Sequence, residues 1–134
     1  MTEKKLSRYY FLNKEVENLE ERIIQIGNGI GSMKFNDNTR YVGSKIESIQ
    51  ERITELKDLW IEARVSALEE YIKIEQYITS VDDSEIRLIM RLRFLDLKDW
   101  EDIGKQLNYD RTTVSKKLRR YLKDNIPTNP TKKC

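Results

Sequence analysis

Apolar residues fall into stripes of helical period along most of the chain. From Lys4 to Ile26 they recur as Tyr9, Leu12, Val16, Leu19, Ile23 and Ile26, at alternating steps of three and four, an unbroken heptad pattern. The spacing predicts an amphipathic helix that stops at "GNGIGS". There Gly27, Gly29 and Gly31 each disfavour helix by about 1 kcal/mol relative to Ala, and Gly27 or Asn28 can take a left-handed cap. A loop through "MKFNDNTRY" follows. Ser44 and Glu47 have capping-box spacing, so a second helix is expected from Gly43 or Ser44, with Ile46, Ile49, Ile53, Leu56, Trp60, Ala63 and Ala67 on its stripe. The stripe slips at Glu70 and resumes through Tyr71, Ile72, Ile74, Tyr77 and Ile78, which carries the helix to about Ser80 or Val81, on the order of 55 Å.

A periodic helix of that length needs a partner. The simplest is the first helix folded back antiparallel across the glycine loop, a hairpin over residues 1–81 that buries both stripes and leaves the second helix overhanging. Trp60, Tyr71 and Tyr77 are bulky enough to anchor either a second subunit or the C-terminal part of the chain, and Ala63 and Ala67 permit close helix approach. These five are the candidate self-association positions, with intrachain core as the alternative.

The pattern changes at "SVDDSEIRL", where Asp82 and Glu85 have N-cap and N3 spacing. Three short helices follow over residues 82–125: "SEIRLIMRLRFLD", "DWEDIGKQL" and "RTTVSKKLRRYLK", with the links "LK" and "NYD". "NIPTNPTKKC" holds two prolines among polar residues, so residues 126–134 are expected to form a disordered tail. The expected fold is all-α: a long antiparallel helical hairpin followed by a three-helix C-terminal domain.

Composition narrows the chemistry. With 38% hydrophobic and 36% charged residues, the chain suits helices with thin cores. No apolar run approaches the roughly 18 residues that cross a bilayer, and "MTEKKLSRYY" lacks the apolar centre of a signal peptide, so no membrane partner and a cytoplasmic location are expected. One cysteine, Cys134, and no histidine leave no disulfide and no zinc ligand set, and they remove the commonest general base; neither a metal, a cofactor nor an enzymatic activity is expected. The glycines of "GNGIGS" mimic a phosphate-cradling loop only in part, because no strand precedes them and no Lys-Ser or Lys-Thr pair follows.

The net charge of +2 conceals an asymmetry: residues 1–83 sum to −4 and residues 84–134 to +6. Basic residues concentrate in "NYDRTTVSKKLRRYLK", which points to a polyanionic partner. The last two helices have the size and order of a helix-turn-helix. Ile103, Gly104, Leu107, Val114 and Leu118 fall where its core needs small or apolar groups. Asn108 can take the left-handed conformation, Tyr109 can tuck under the turn, and Asp110 can accept hydrogen bonds from the next helix's free N–H groups. With Val114, Leu118, Tyr121 and Leu122 inward, helical phase turns Arg111, Thr112, Thr113, Ser115 and Lys116 outward as candidate base readers. Lys117, Arg119, Arg120 and Lys123 become candidate phosphate contacts. The competing account is that late basic residues solvate the helix and complement its C-terminal dipole.

"IRLIMRLRFLDLKDWEDIGKQLNYDRTTVSKKLRRYLK" resembles region four of the bacterial sigma-70 class, the helix-turn-helix that reads the promoter −35 element; its strongest parts are "LRFLDLKDWEDIGKQL" and "DRTTVSKKLRR". The whole chain is similar to small phage regulators of the ArpU and RinA type, which activate late genes in phages of Gram-positive bacteria. Thr112 and Thr113 stand where sigma factors often carry an acidic residue and a second arginine, and Asn108 replaces the more usual glycine. Nothing in residues 1–83 resembles the sigma region that melts DNA.

The resemblance implies a sequence-specific regulator that binds double-stranded DNA as a homodimer or higher homo-oligomer, with host RNA polymerase as a further partner. Two rivals remain: a phage small terminase subunit, which also joins such a motif to oligomerising helices, and a coiled-coil interaction module that does not bind DNA.

Overall fold

The computed structural model describes residues 1–31 and 39–125, and the side chains of 1–30 and 43–125. The described residues are all-helical: α1 (Glu3–Leu6), α2 (Arg8–Gly31), α3 (Thr39–Thr79), α4 (Ser84–Met90), a π-helical turn (Arg91–Leu95), α5 (Trp100–Leu107) and α6 (Arg111–Asp124). Among them no helix is long and apolar enough to cross a membrane. They form two compact units, Phe11–Ala67 and residues 1–10 with 68–125. This division differs from the expected boundary at 81–82, because the chain's first residues and the end of α3 share a core with α4–α6.

In the Phe11–Ala67 unit, the α2 stripe places Val16 at 3% exposure with Leu12, Leu19, Ile23 and Ile26 half-buried, as the heptad spacing predicts. Gly27 does not end the helix, which runs on to Gly31. Among the described residues no glycine takes a positive φ, and Asn28 is not left-handed. Ile30 extends the apolar stripe one turn past Ile26 and is half-buried, which offsets the glycines' low propensity. α3 starts earlier than the Ser44 and Glu47 pair suggests, at Thr39, leaving Ser44 in the helix interior. Residues 39–41 of the expected loop belong to α3, while residues 32–38 and the expected tail, 126–134, lie outside the described residues. On α3 Leu56 and Ala67 are buried, while Trp60 and Ala63 are half-buried. Leu12 and Leu19 of α2 line one groove of about 280 Å³ with Leu59 and Ala63 of α3.

The other unit is built on side chains with no exposure: Leu6, Ile74, Ile78, Ile89, Met90, Ile103, Val114 and Leu118. Each contributes about 1.5–3 kcal/mol through removal from water. Tyr71 meets Tyr9 edge to face with ring centroids 5.1 Å apart, and Tyr77 packs on the same core. The five positions singled out for self-association are buried or half-buried within their own units.

α4 is capped by Asp83, not Asp82: Asp83 Oδ1 accepts from the Glu85 and Ile86 amides at 2.9 and 3.2 Å. Arg87 donates to the Val81 and Asp82 carbonyls, so Asp82 belongs to the link that the arginine fastens. After the π turn, Leu97 takes φ 58°, a left-handed conformation that reverses the chain before α5.

Candidate nucleic-acid interface

α5 and α6 are joined by three residues, and each has a local reason for its place. Asp99 caps α5, its Oδ1 accepting from the Asp102 amide at 2.8 Å. Asn108 ends α5 at φ 59° and ψ 39°, and Asn tolerates this left-handed conformation better than other side chains do. The Tyr109 amide then donates to the Gly104 carbonyl at 2.8 Å. A Cβ on Gly104 would lie 2.6 Å from the Tyr109 carbonyl oxygen and 3.3 Å from the Arg111 nitrogen, so the turn's own backbone, more than the crossing of the helices, requires glycine. Asp110 caps α6, accepting from the Thr112 amide at 3.3 Å.

Ile103, Gly104, Val114 and Leu118 are buried and Leu107 is half-buried, so the five expected core positions come together. With that face inward, α6 turns Arg111, Thr112, Thr113, Lys116, Arg120 and Lys123 to solvent. Among the described residues, none of its cations Arg111, Lys116, Arg120 and Lys123 is ion-paired. Ser115 departs from the outward set. It is 8% exposed, and its hydroxyl donates to the Thr112 carbonyl at 3.0 Å, because one residue past Val114 the helix still faces the core.

Two of the candidate phosphate contacts are engaged within the unit. Lys117 Nζ lies 2.9 Å from Glu85 Oε1 and 4.6 Å from the Tyr109 ring centroid, while the Tyr109 hydroxyl donates to Glu85 Oε2 at 3.1 Å. The hydrogen bond from Lys117 holds the Glu85 carboxyl below its ordinary pKa, against a smaller desolvation effect, with Tyr109 adding to the lowering. The same bond raises the pKa of Lys117. Arg119 Nε is 3.4 Å from Glu3 Oε2, with the arginine side chain exposed and the glutamate half-buried.

Sequence reasoning treats Glu85 only as a capping residue and does not single out Arg93. The Arg93 guanidinium stacks over the Trp100 ring at 4.6 Å and donates to the Lys98 carbonyl at 3.1 Å. It lines a groove of about 460 Å³ with Trp100, Arg111, Thr112 and the acidic Asp99 and Glu101. Arg93 and Trp100 stand in different helical elements with the left-handed Leu97 between them, so helical periodicity joins neither this pair nor Glu85 to Lys117 across 32 positions.

The α6 face offers unpaired cations and hydroxyls at one-turn intervals, a chemistry that suits phosphate oxygens and base edges. Among the described residues no three His, Cys, Asp or Glu side chains gather to hold a metal ion. Comparison with known protein families, with curated proteins and with solved structures finds no match to this chain.

Proposed function

We propose that the chain is a sequence-specific DNA-binding transcriptional regulator, with α5, the Asn108–Asp110 turn and α6 acting as a helix-turn-helix and α2 and α3 as an antiparallel hairpin. The supporting observation is the division of α6: one side buries Val114, Leu118 and Leu122, and the other presents Arg111, Lys116, Arg120 and Lys123 without ion-pair partners among the described residues. In this reading α6 lies in a major groove, with Arg111, Thr112, Thr113 and Lys116 against base edges and Arg120 and Lys123 on phosphates. The resemblance to sigma region four and to phage late-gene activators makes a late promoter, read alongside host RNA polymerase, the proposed target.

A mobility-shift assay on phage DNA upstream of late genes tests this directly. Retention of one fragment over random DNA at moderate salt is expected, and equal retention of both would refute sequence-specific recognition. The rival, an interaction module that does not bind DNA, draws support from Lys117 and Arg119 being paired within the unit. Loss of all DNA retention at physiological salt would favour it.

A further inference from the structure

α3 carries a second apolar stripe besides the one its own chain covers. Ile61, Val65, Leu68 and Ile72 are 53, 50, 47 and 53% exposed. At 3.6 residues per turn, their steps of four, three and four confine them to about 60° of the helix circumference, over about 16 Å of its length. Single exposed apolar side chains need no explanation, but four in line mark an interaction surface. We propose that this stripe is the seam of a parallel two-stranded pairing with a second copy of the chain.

The heptad assignment identifies the occupant. Val65 and Ile72 take the a positions and Ile61 and Leu68 the d positions. β-branched Val65 and Ile72 at a with Leu68 at d favour two parallel strands, while Ile61 at the other d position adds nothing to that preference. The flanking charges agree. Lys57 and Arg64 fall at g and Glu62 and Glu69 at e, so a parallel copy brings Lys57 opposite the partner's Glu62 and Arg64 opposite the partner's Glu69, and two-fold symmetry repeats both pairs. An antiparallel copy would set Glu62 against the partner's Glu69, a repulsive contact. All four charges are exposed, and among the described residues none is engaged in an ion pair, whereas Arg52 and Glu55 on the same helix are paired with each other at 2.9 Å.

Asp58 and Glu75 occupy the next core positions at either end, where each would face its own counterpart and so limit the seam to about two heptads. That is a small surface beside the roughly 800 Å² per partner of a standard interface, so the pairing depends on concentration. The inference rests on α3 alone and is independent of DNA binding.

Sedimentation equilibrium of the full chain, from low micromolar to several hundred micromolar, tests it. The mass is expected to rise from 16.0 kDa toward twice that value. Val65→Glu and Leu68→Glu, at exposed positions, are each expected to hold the chain at the monomer mass with unchanged helical circular dichroism. Glu62→Lys with Glu69→Lys is expected to weaken the association, and adding Lys57→Glu and Arg64→Glu to restore it. A wild type that stays monomeric throughout overturns the proposal, as does a dimer indifferent to Leu68→Glu. A quadruple variant no better than the double one overturns the parallel register.

Discussion

Lys117, placed by helical phase among the cations of α6, lies 2.9 Å from the Glu85 carboxylate and over the face of Tyr109. Its charge is therefore partly neutralised inside the unit, and Lys117 and Lys116, neighbours in sequence, have different roles. We predict that Arg120→Ala and Lys123→Ala each make the log affinity for DNA less dependent on log salt, by about 0.9 for every phosphate no longer neutralised. Lys117→Met is predicted to leave that slope unchanged and to lower the urea midpoint of unfolding instead. A slope change for Lys117→Met as large as that for Arg120→Ala would contradict this assignment.

The same pair sets a pH dependence. The Glu85 carboxyl has a lowered pKa in the fold, so its stabilisation is present above the unfolded-state value, about 4.3, and is lost as pH falls through the folded one. The Lys117 ammonium has a raised pKa, so its contribution is present below the unfolded-state value, about 10.4, and is lost as pH rises through the folded one. Glu85→Gln is therefore expected to be less stable than the wild type near neutrality, with the gap closing on acidification. Denaturant midpoints measured across that range check it, and a constant gap would exclude the linkage.

Gly104 is predicted to tolerate no side chain. An added Cβ meets the Tyr109 carbonyl oxygen at 2.6 Å, and backbone in a three-residue turn has little room to move. Gly104→Ala is expected to destabilise by about 1–3 kcal/mol, the range for overpacking. Equilibrium urea unfolding measures this, and an unchanged midpoint would mean that the turn yields more easily than its geometry suggests.

Asn108 supplies a complementary test from the other side of the turn. Its φ of 59° costs a β-carbon-bearing residue about 1–2 kcal/mol unless the side chain is Asn or Asp. Asn108→Gly should match or exceed the wild type in thermal midpoint, and Asn108→Ala should fall below it. The reverse order would show that the Asn side chain, rather than its tolerance of this conformation, holds the turn.

Base reading and grip are separable in the proposed complex. Replacing Arg111 or Thr112 with Ala is expected to change which bases are preferred more than it changes salt dependence. Selection from a randomised operator library reads this out, and uniform weakening on all sequences would remove both residues from the base-reading set.

Much of this molecule is legible in short-range pattern. Heptad spacing locates α2 and α3, and "NYD" predicts the conformation of Asn108 and the cap at Asp110, because caps and left-handed residues depend on only a few neighbouring positions. Helical phase also separates Val114 and Leu118 from Lys116 and Arg120. It errs at Ser115, which sits at the edge of the buried arc, where a rotation of one residue is decided by what packs against the helix.

Sequence by itself thus determined that the chain is helical, where its helices fall to within a few residues, and which turn links α5 to α6, since these follow from periodicity and local hydrogen bonding. Only tertiary structure decided that Leu6 and the end of α3 join the core of α4–α6, that Glu85 takes Lys117 and Glu3 takes Arg119, and that Ile61, Val65, Leu68 and Ile72 remain exposed. Those outcomes depend on residues far apart in the chain competing for the same apolar surface and the same charges, and no local pattern records who wins.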